Sequence, residues 1–208
     1  MKKLILSMVL LLSCLVVRAQ ISAVTESGYG VVLFEDGTWK YLNDNLMDGS
    51  KVDINKKIFV RDQRSTLFAN SEVANVGVWL DPDVWSFFRA GGRVEFQFEK
   101  KGGEVYGIMI SEKKNIPTKA LRMAAISNAR DAAPDIRVIK EEYRKVNGIQ
   151  VLMMQMAGTV DGVKFMYYGY YYSNSKGSVQ LITYTGENLF DRNYSDMEFF
   201  LNGLVKTN

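Results

Sequence analysis

Val163-Lys164-Phe165-Met166-Tyr167-Tyr168-Gly169-Tyr170-Tyr171-Tyr172 is the stretch whose reading decides the fold. Successive side chains of a strand point to opposite faces, so it divides into Phe165, Tyr167, Gly169, Tyr171 and Met166, Tyr168, Tyr170, Tyr172. Both sets are apolar or aromatic. A strand with one face in water would show polar residues at every second position. This one predicts a central strand covered on both sides.

Outward from it the chain reads as a meander. Residues 136–143, 150–156 and 179–185 are further β-rich runs, and short connections make all four antiparallel neighbours. Asn147-Gly148 and Asp161-Gly162 stand at two of the joints, and such pairs suit tight hairpin turns. Upstream, residues 76–80 read as a strand ending at Asp81-Pro82-Asp83. Residues 93–99 alternate with Val94, Phe96 and Phe98 on one face, and 105–110 return after Gly102-Gly103.

Two helices complete the pattern. Over residues 117–133, Leu121, Ala124, Ala125, Asn128, Ala129 and Ala132 follow helical spacing and predict an inward face. Pro117 suits a first helical position, Asn115 a cap, and Pro134 a stop. Over residues 195–205, Ser195 and Glu198 spell a capping box ahead of Phe200, Leu201 and Leu204. The expected fold class is α+β, an antiparallel β-sheet sandwiched by helices.

Before this domain (65–208) the sequence predicts a β-hairpin over 20–42, turning at Glu35-Asp36-Gly37, and a polar linker over 43–64 with one short strand at 58–60. Asp44 and Asp48-Gly49 suggest a calcium loop, but Leu46 and Asn55 occupy ligand positions, so no metal is expected.

Residues 1–19 read as an export signal, with Lys2 and Lys3 before an apolar run and Val17-Arg18-Ala19 before Gln20. That run is too short to span a bilayer, and no transmembrane segment is expected elsewhere. The single cysteine, Cys14, lies in this leader, and the chain has no histidine. A lipoprotein anchored through Cys14 is the alternative. Thiol nucleophiles, histidine-based triads, disulfides and the usual zinc sites are thereby excluded from the mature protein, and no cofactor is expected. Three of the 26 lysines and arginines belong to the leader, leaving 23 against 23 acids. A neutral exported chain has no electrostatic reason to bind nucleic acid.

The segment Val78-Trp79-Leu80-Asp81-Pro82-Asp83-Val84-Trp85, the approach Lys113-Lys114-Asn115-Ile116-Pro117, Val146-Asn147-Gly148, Tyr168 to Tyr172, Gln180 to Thr185 and Phe199 to Leu204 together resemble the PsbP-like or Mog-like fold. The resemblance covers about 140 residues and rests on element order and soft patterns. It implies an exported or envelope protein that binds or assists assembly and does not catalyse, its partner an envelope protein or a small ligand.

The candidate contact residues are Tyr170 and Tyr172 at the strand end, Trp85 beside Asp83, and Glu187, Asp191 and Arg192 in the segment before the last helix. Each has a plainer role available: core filling for the aromatics, a solvated loop for the charges. A rival reading pairs Glu187 and Asp191 as the carboxylates of a hydrolase. Asn193-Tyr194-Ser195 also spells a glycosylation site.

Overall fold

A computed structural model describes residues 21–24, 30–41 and 52–207. The expected leader, Cys14 and the Asp44 to Gly49 stretch lie outside them. The chain divides into two units, 1–48 and 49–208.

In the first unit, β1 (Ile21–Val24), β2 (Gly30–Leu33) and β3 (Trp39–Tyr41) form a three-stranded antiparallel sheet in that order. The turn between β2 and β3 works as expected: Gly37 supplies a φ of 79°, and Asp36 accepts a hydrogen bond from the Thr38 amide at 2.9 Å. β1 enlarges the hairpin by one strand.

The second unit begins with β4 (Asp53–Phe59), β5 (Leu67–Asn70), β6 (Val76–Leu80), β7 (Trp85–Arg89), β8 (Val94–Lys100) and β9 (Tyr106–Glu112). Helix α1 (Thr118–Ala132) precedes the meander of β10 (Arg137–Val146), β11 (Ile149–Val160), β12 (Val163–Asn174) and β13 (Gly177–Gly186). A single 3-10 turn leads into α2 (Phe190–Leu201), and β14 (Leu204–Lys206) closes the chain. Eight strands make one sheet in the order β4-β10-β11-β12-β13-β9-β8-β7, while β14-β6-β5 make a second, smaller one.

The meander follows from its turns. Asn147 and Gly148 (φ 46° and 86°), like Asp161 and Gly162 (φ 49° and 81°), occupy the left-handed region that two-residue hairpins require. They set β10 against β11 and β11 against β12 in antiparallel register.

Several expectations need correction. The main sheet is mixed, because β4 runs parallel to β10, with Asp53 opposite Glu142. Most of that strand falls within the expected polar linker. It is an edge strand with only Phe59 buried, so it lacks the alternation by which strands are recognised. Asn115 does not cap α1: its side chain accepts from the Ser173 hydroxyl at 2.9 Å, and the helix starts after Pro117 without a side-chain cap. The capping box at Ser195 and Glu198 is also absent. α2 starts five residues earlier, so both fall inside the helix, and Leu204 lies on a strand.

The two parities of β12 enter two different cores. Tyr168, Tyr170 and Tyr172 pack with Met197, Phe200 and Leu201 of α2, with Trp85, Phe96 and Phe98, and with Val76, Val78 and Leu80 of the small sheet. Tyr171, with Tyr167 at the margin, packs with Leu121, Ala125 and Ile126 of α1 and with Leu152, Met154 and Met156 of β11. The helices therefore lie on opposite faces, and α2 shares its face with the small sheet.

Candidate functional site

One face of the sheet is sealed by an internal polar cluster. Arg144 of β10 is only 3% exposed, and its guanidinium lies 4.3 Å over the Phe59 ring. Its Nε donates to Glu142 Oε1 at 2.6 Å; its Nη1 donates to the hydroxyls of Tyr168 (2.6 Å) and Tyr170 (3.1 Å) and to Glu198 Oε1 (2.9 Å). The tyrosines pass the network on. Tyr168 and Tyr194 donate to Glu198, and Tyr170 donates to Asn202 Oδ1 at 2.8 Å. Burial works against the charge on Arg144, yet the tyrosine oxygens and Glu142 hold the guanidinium above its ordinary value. Burial raises the Tyr168 and Tyr170 hydroxyls, so both stay protonated and available as donors. Every group in this cluster is engaged by another. It is a structural device.

The opposite face is different. One helix covers only part of an eight-stranded sheet, and α1 packs over β11 and β12. Beside it, over β13 and β9, a groove of about 410 Å³ remains open. Its helical wall is Ala125, Asn128, Ala129 and Ala132, whose small side chains leave the space unfilled. Sequence periodicity placed these residues against the sheet; Ala125 is buried, but Asn128 and Ala132 are exposed.

The groove floor has three rows. Phe165, Tyr167 and Tyr184 form an aromatic row, with ring centroids 6.1 to 6.5 Å apart. Next, Ile182 and Ile108 stand in register with Gly169, which has no side chain to raise the floor. Tyr171, Gln180 and Ile110 make the third row. No lining residue carries a charge. Burial pushes the Tyr167 and Tyr184 hydroxyls above their ordinary values, and Tyr171 further still. The Tyr171 hydroxyl is wholly buried and has no hydrogen-bond partner.

The residues singled out from sequence are spread over the molecule. Tyr170 belongs to the Arg144 cluster, Tyr172 is buried in the same core, and Trp85 stacks on Phe200 at 4.4 Å between centroids. Arg192 is exposed and pairs with Glu104 at 2.6 Å; Glu187 lies 3.8 Å from Lys164; Asp191 is exposed in the first turn of α2. Glu187 directly follows Gly186, which pairs with Phe165 at the aromatic end of the groove. Asn193, the sequon residue, is buried in α2, accepts from Lys100 at 2.6 Å and donates to the Leu189 carbonyl. Among the described residues no cluster of acids is placed to hold a metal ion, and no helix is long and apolar enough to cross a membrane.

What sequence reading missed was the groove. Its signal was present in the run of alanines on α1 and in Gly169 on β12, but the third contributor, β9, reaches β13 only through the sheet's topology.

No protein-family model and no curated protein sequence matches the chain. Solved structures do. The solution structure of cyanobacterial PsbP (CyanoP) from Synechocystis aligns over 70% of this chain and 94% of its own, with a TM-score of 0.52 at 12% identity. A crystal structure from Bacteroides thetaiotaomicron covers 68% of this chain and 48% of its own (TM-score 0.47, 12% identity). LpqN of Mycobacterium tuberculosis, described as involved in cell envelope biogenesis, covers 64% and 83% (TM-score 0.45, 11% identity). The fold of the second unit is PsbP-like.

Proposed function

We propose that a chain with this PsbP-like domain is an exported, non-catalytic accessory protein that acts by binding, and that the groove beside α1 is its binding site. One observation carries the reading: a roughly 410 Å³ recess, within the ~300–1,000 Å³ range of small-molecule sites, lined by apolar and aromatic side chains over a rigid sheet. Its lining supplies no carboxylate, amine or imidazole to move a proton at neutral pH. The carboxylates suggested by sequence, Glu187 and Asp191, sit outside it. They and Arg192 are proposed as rim or partner contacts near the aromatic end. Cleavage after Ala19, leaving Gln20 first, is part of the same proposal; a lipid on Cys14 would be found by mass spectrometry of the mature protein.

Filling the groove tests the reading. Ala129 is half-buried on the groove wall, so Ala129→Trp places a large ring in the recess without touching the Arg144 cluster. A neutral, environment-sensitive fluorophore such as N-phenyl-naphthylamine is expected to bind the wild type saturably at one site. The Ala129→Trp variant is expected to lose that binding while keeping its circular dichroism spectrum. Equal binding by both proteins would place the site elsewhere.

A further inference from the structure

We infer that the β7 edge of the large sheet is a self-association surface, on which a second copy of this chain pairs antiparallel to β7 about a two-fold axis through Phe87. β7 contributes nothing to the groove lining, so loss of this pairing would leave the groove reading untouched.

β7 ends the sheet, with β8 on one side and no strand on the other. The Lys101 amide donates to the Val84 carbonyl at 2.8 Å, and the Ala90 amide to the Glu95 carbonyl at 3.0 Å. In an antiparallel ladder alternate residues face the neighbour, so Ser86 and Phe88 bond to β8 as well. Trp85, Phe87 and Arg89 therefore point their backbone groups outward. The Trp85 amide turns back to the Asp81 carbonyl at 2.8 Å. Its carbonyl, and both backbone groups of Phe87 and Arg89, stay open among the described residues. Edge strands are commonly blunted by lysine, proline or a bulge. β7 has none of these, and its register with β8 is unbroken. The sheet's other edge carries Lys56 and Lys57 and a register shift against β10.

Charge specifies what fits. Asp81 and Asp83 precede the strand, and Arg93 follows it. Asp83 and Arg93 are both exposed, and among the described residues neither meets an opposite charge. Arg89 is already paired with Glu72 and Glu95. An antiparallel copy lays the acidic end of one β7 on the basic end of the other, twice by symmetry, whereas a parallel copy would set like charges together. Gly91 and Gly92 then fall opposite the Asp81 to Asp83 turn, and both have open space where a side chain would stand. Along the strand, the Phe87 amide and carbonyl exchange hydrogen bonds with those of Phe87 of the second copy. Each Arg89 amide donates to the other copy's Trp85 carbonyl. Phe87, half-buried against Phe96 and Phe98, gains an aromatic neighbour on its open flank. On the opposite face Phe88, 56% exposed, lies beside Ser86 of the second copy, which is small enough to admit it.

Sedimentation velocity on the purified protein tests this. A strand of five residues makes a small interface, so a monomer–dimer equilibrium with a Kd of about 10 μM to 1 mM is expected. Deuterium exchange at the Phe87 and Arg89 amides is expected to slow as the dimer forms. Asp83→Arg and Arg93→Asp are each expected to weaken the dimer about tenfold, because each places like charges at both ends. Mixed in equal amounts, the two variants are expected to pair as tightly as the wild type, since every charge then faces its opposite. That rescue also shows that both variants are folded.

A protein that stays monomeric at about 1 mM would overturn the inference. A dimer that ignores both substitutions, with the Phe87 and Arg89 amides exchanging freely, would place the contact elsewhere and overturn it too. Absence of rescue in the mixture, with wild-type circular dichroism for each variant, would overturn the antiparallel register.

Discussion

The Arg144 guanidinium meets the Glu198 carboxylate at 2.9 Å, joining β10 to α2 through a pair whose side chains are 3% and 16% exposed. Tyr168, on the strand two places further into the sheet, accepts from the first and donates to the second. Strand, neighbour and helix are thus fixed to one another by a charge that cannot be removed from one side alone.

Glu198→Gln is expected to cost about 3 kcal/mol, at the lower end for a broken buried pair because Glu142 still faces Arg144. Urea unfolding measures it. A cost below about 0.5 kcal/mol, the usual value for a surface site, would show that the pair is solvated and structurally minor.

Acid is expected to weaken the fold through carboxylates held below their ordinary values. At Glu142, burial acts to raise the value, but hydrogen bonds from Asn55 and Arg144 and the Arg144 charge outweigh it. At Asp135, the amide and hydroxyl of Thr159 lower it. A group depressed by folding stabilises the protein above its unfolded value and loses that contribution as pH falls through the folded one. Urea midpoints are therefore flat near neutrality and drop from about pH 4.5 downward. Glu142→Gln removes part of that slope. An unchanged slope would mean that Glu142 is not shifted by folding.

Asn147 has two roles that substitutions can separate. It holds φ 46° in the turn, and its amide donates to the carbonyls of Asn202 and Leu204 at 2.7 and 2.8 Å. Asn147→Gly keeps the turn conformation and loses the bonds; Asn147→Ala loses both. The expected costs are about 1–2 kcal/mol for glycine, with alanine worse by up to about 1 kcal/mol. Alanine no worse than glycine would show that the turn conformation is not limiting.

Gly203 closes the connection between α2 and β14, where a Cβ would overlap the Trp79 carbonyl oxygen. The obstacle is backbone, already bonded by the Trp79 amide to the Gly203 carbonyl at 2.9 Å, and it cannot rotate aside. Gly203→Ala is expected to lose about 2–3 kcal/mol in thermal or urea unfolding. Neutrality would mean that the small sheet slides freely.

Much of this was readable in order along the chain. The doubled aromatic parity of β12 foretold two covered faces, and the Asn-Gly and Asp-Gly pairs foretold the meander. What escaped were features set by residues distant in sequence. β4 is polar because it is an edge, and only its pairing with β10 makes it a strand. Nothing local in the sequence marks Arg144 for burial, because its burial depends on Glu198, more than fifty residues away. Glu198 also satisfied a local capping rule that tertiary contact overrode. The groove was only partly legible for the same reason. Its floor is completed by β9, which precedes α1 in the chain but lies beyond β13 in the sheet.

The parallel pairing of β4 with β10 has a kinetic consequence. As the chain is made or threaded from its N-terminus, Asp53–Phe59 emerges long before Glu142, its partner, exists in folded form. Closing so long a loop has an entropic cost that must be met before the contact returns anything, so β4 is placed to join after the meander has formed. Until then Ile54 and Ile58 travel unpaired, separated by Lys56 and Lys57, charges of the kind that keep a waiting strand from recruiting a second chain.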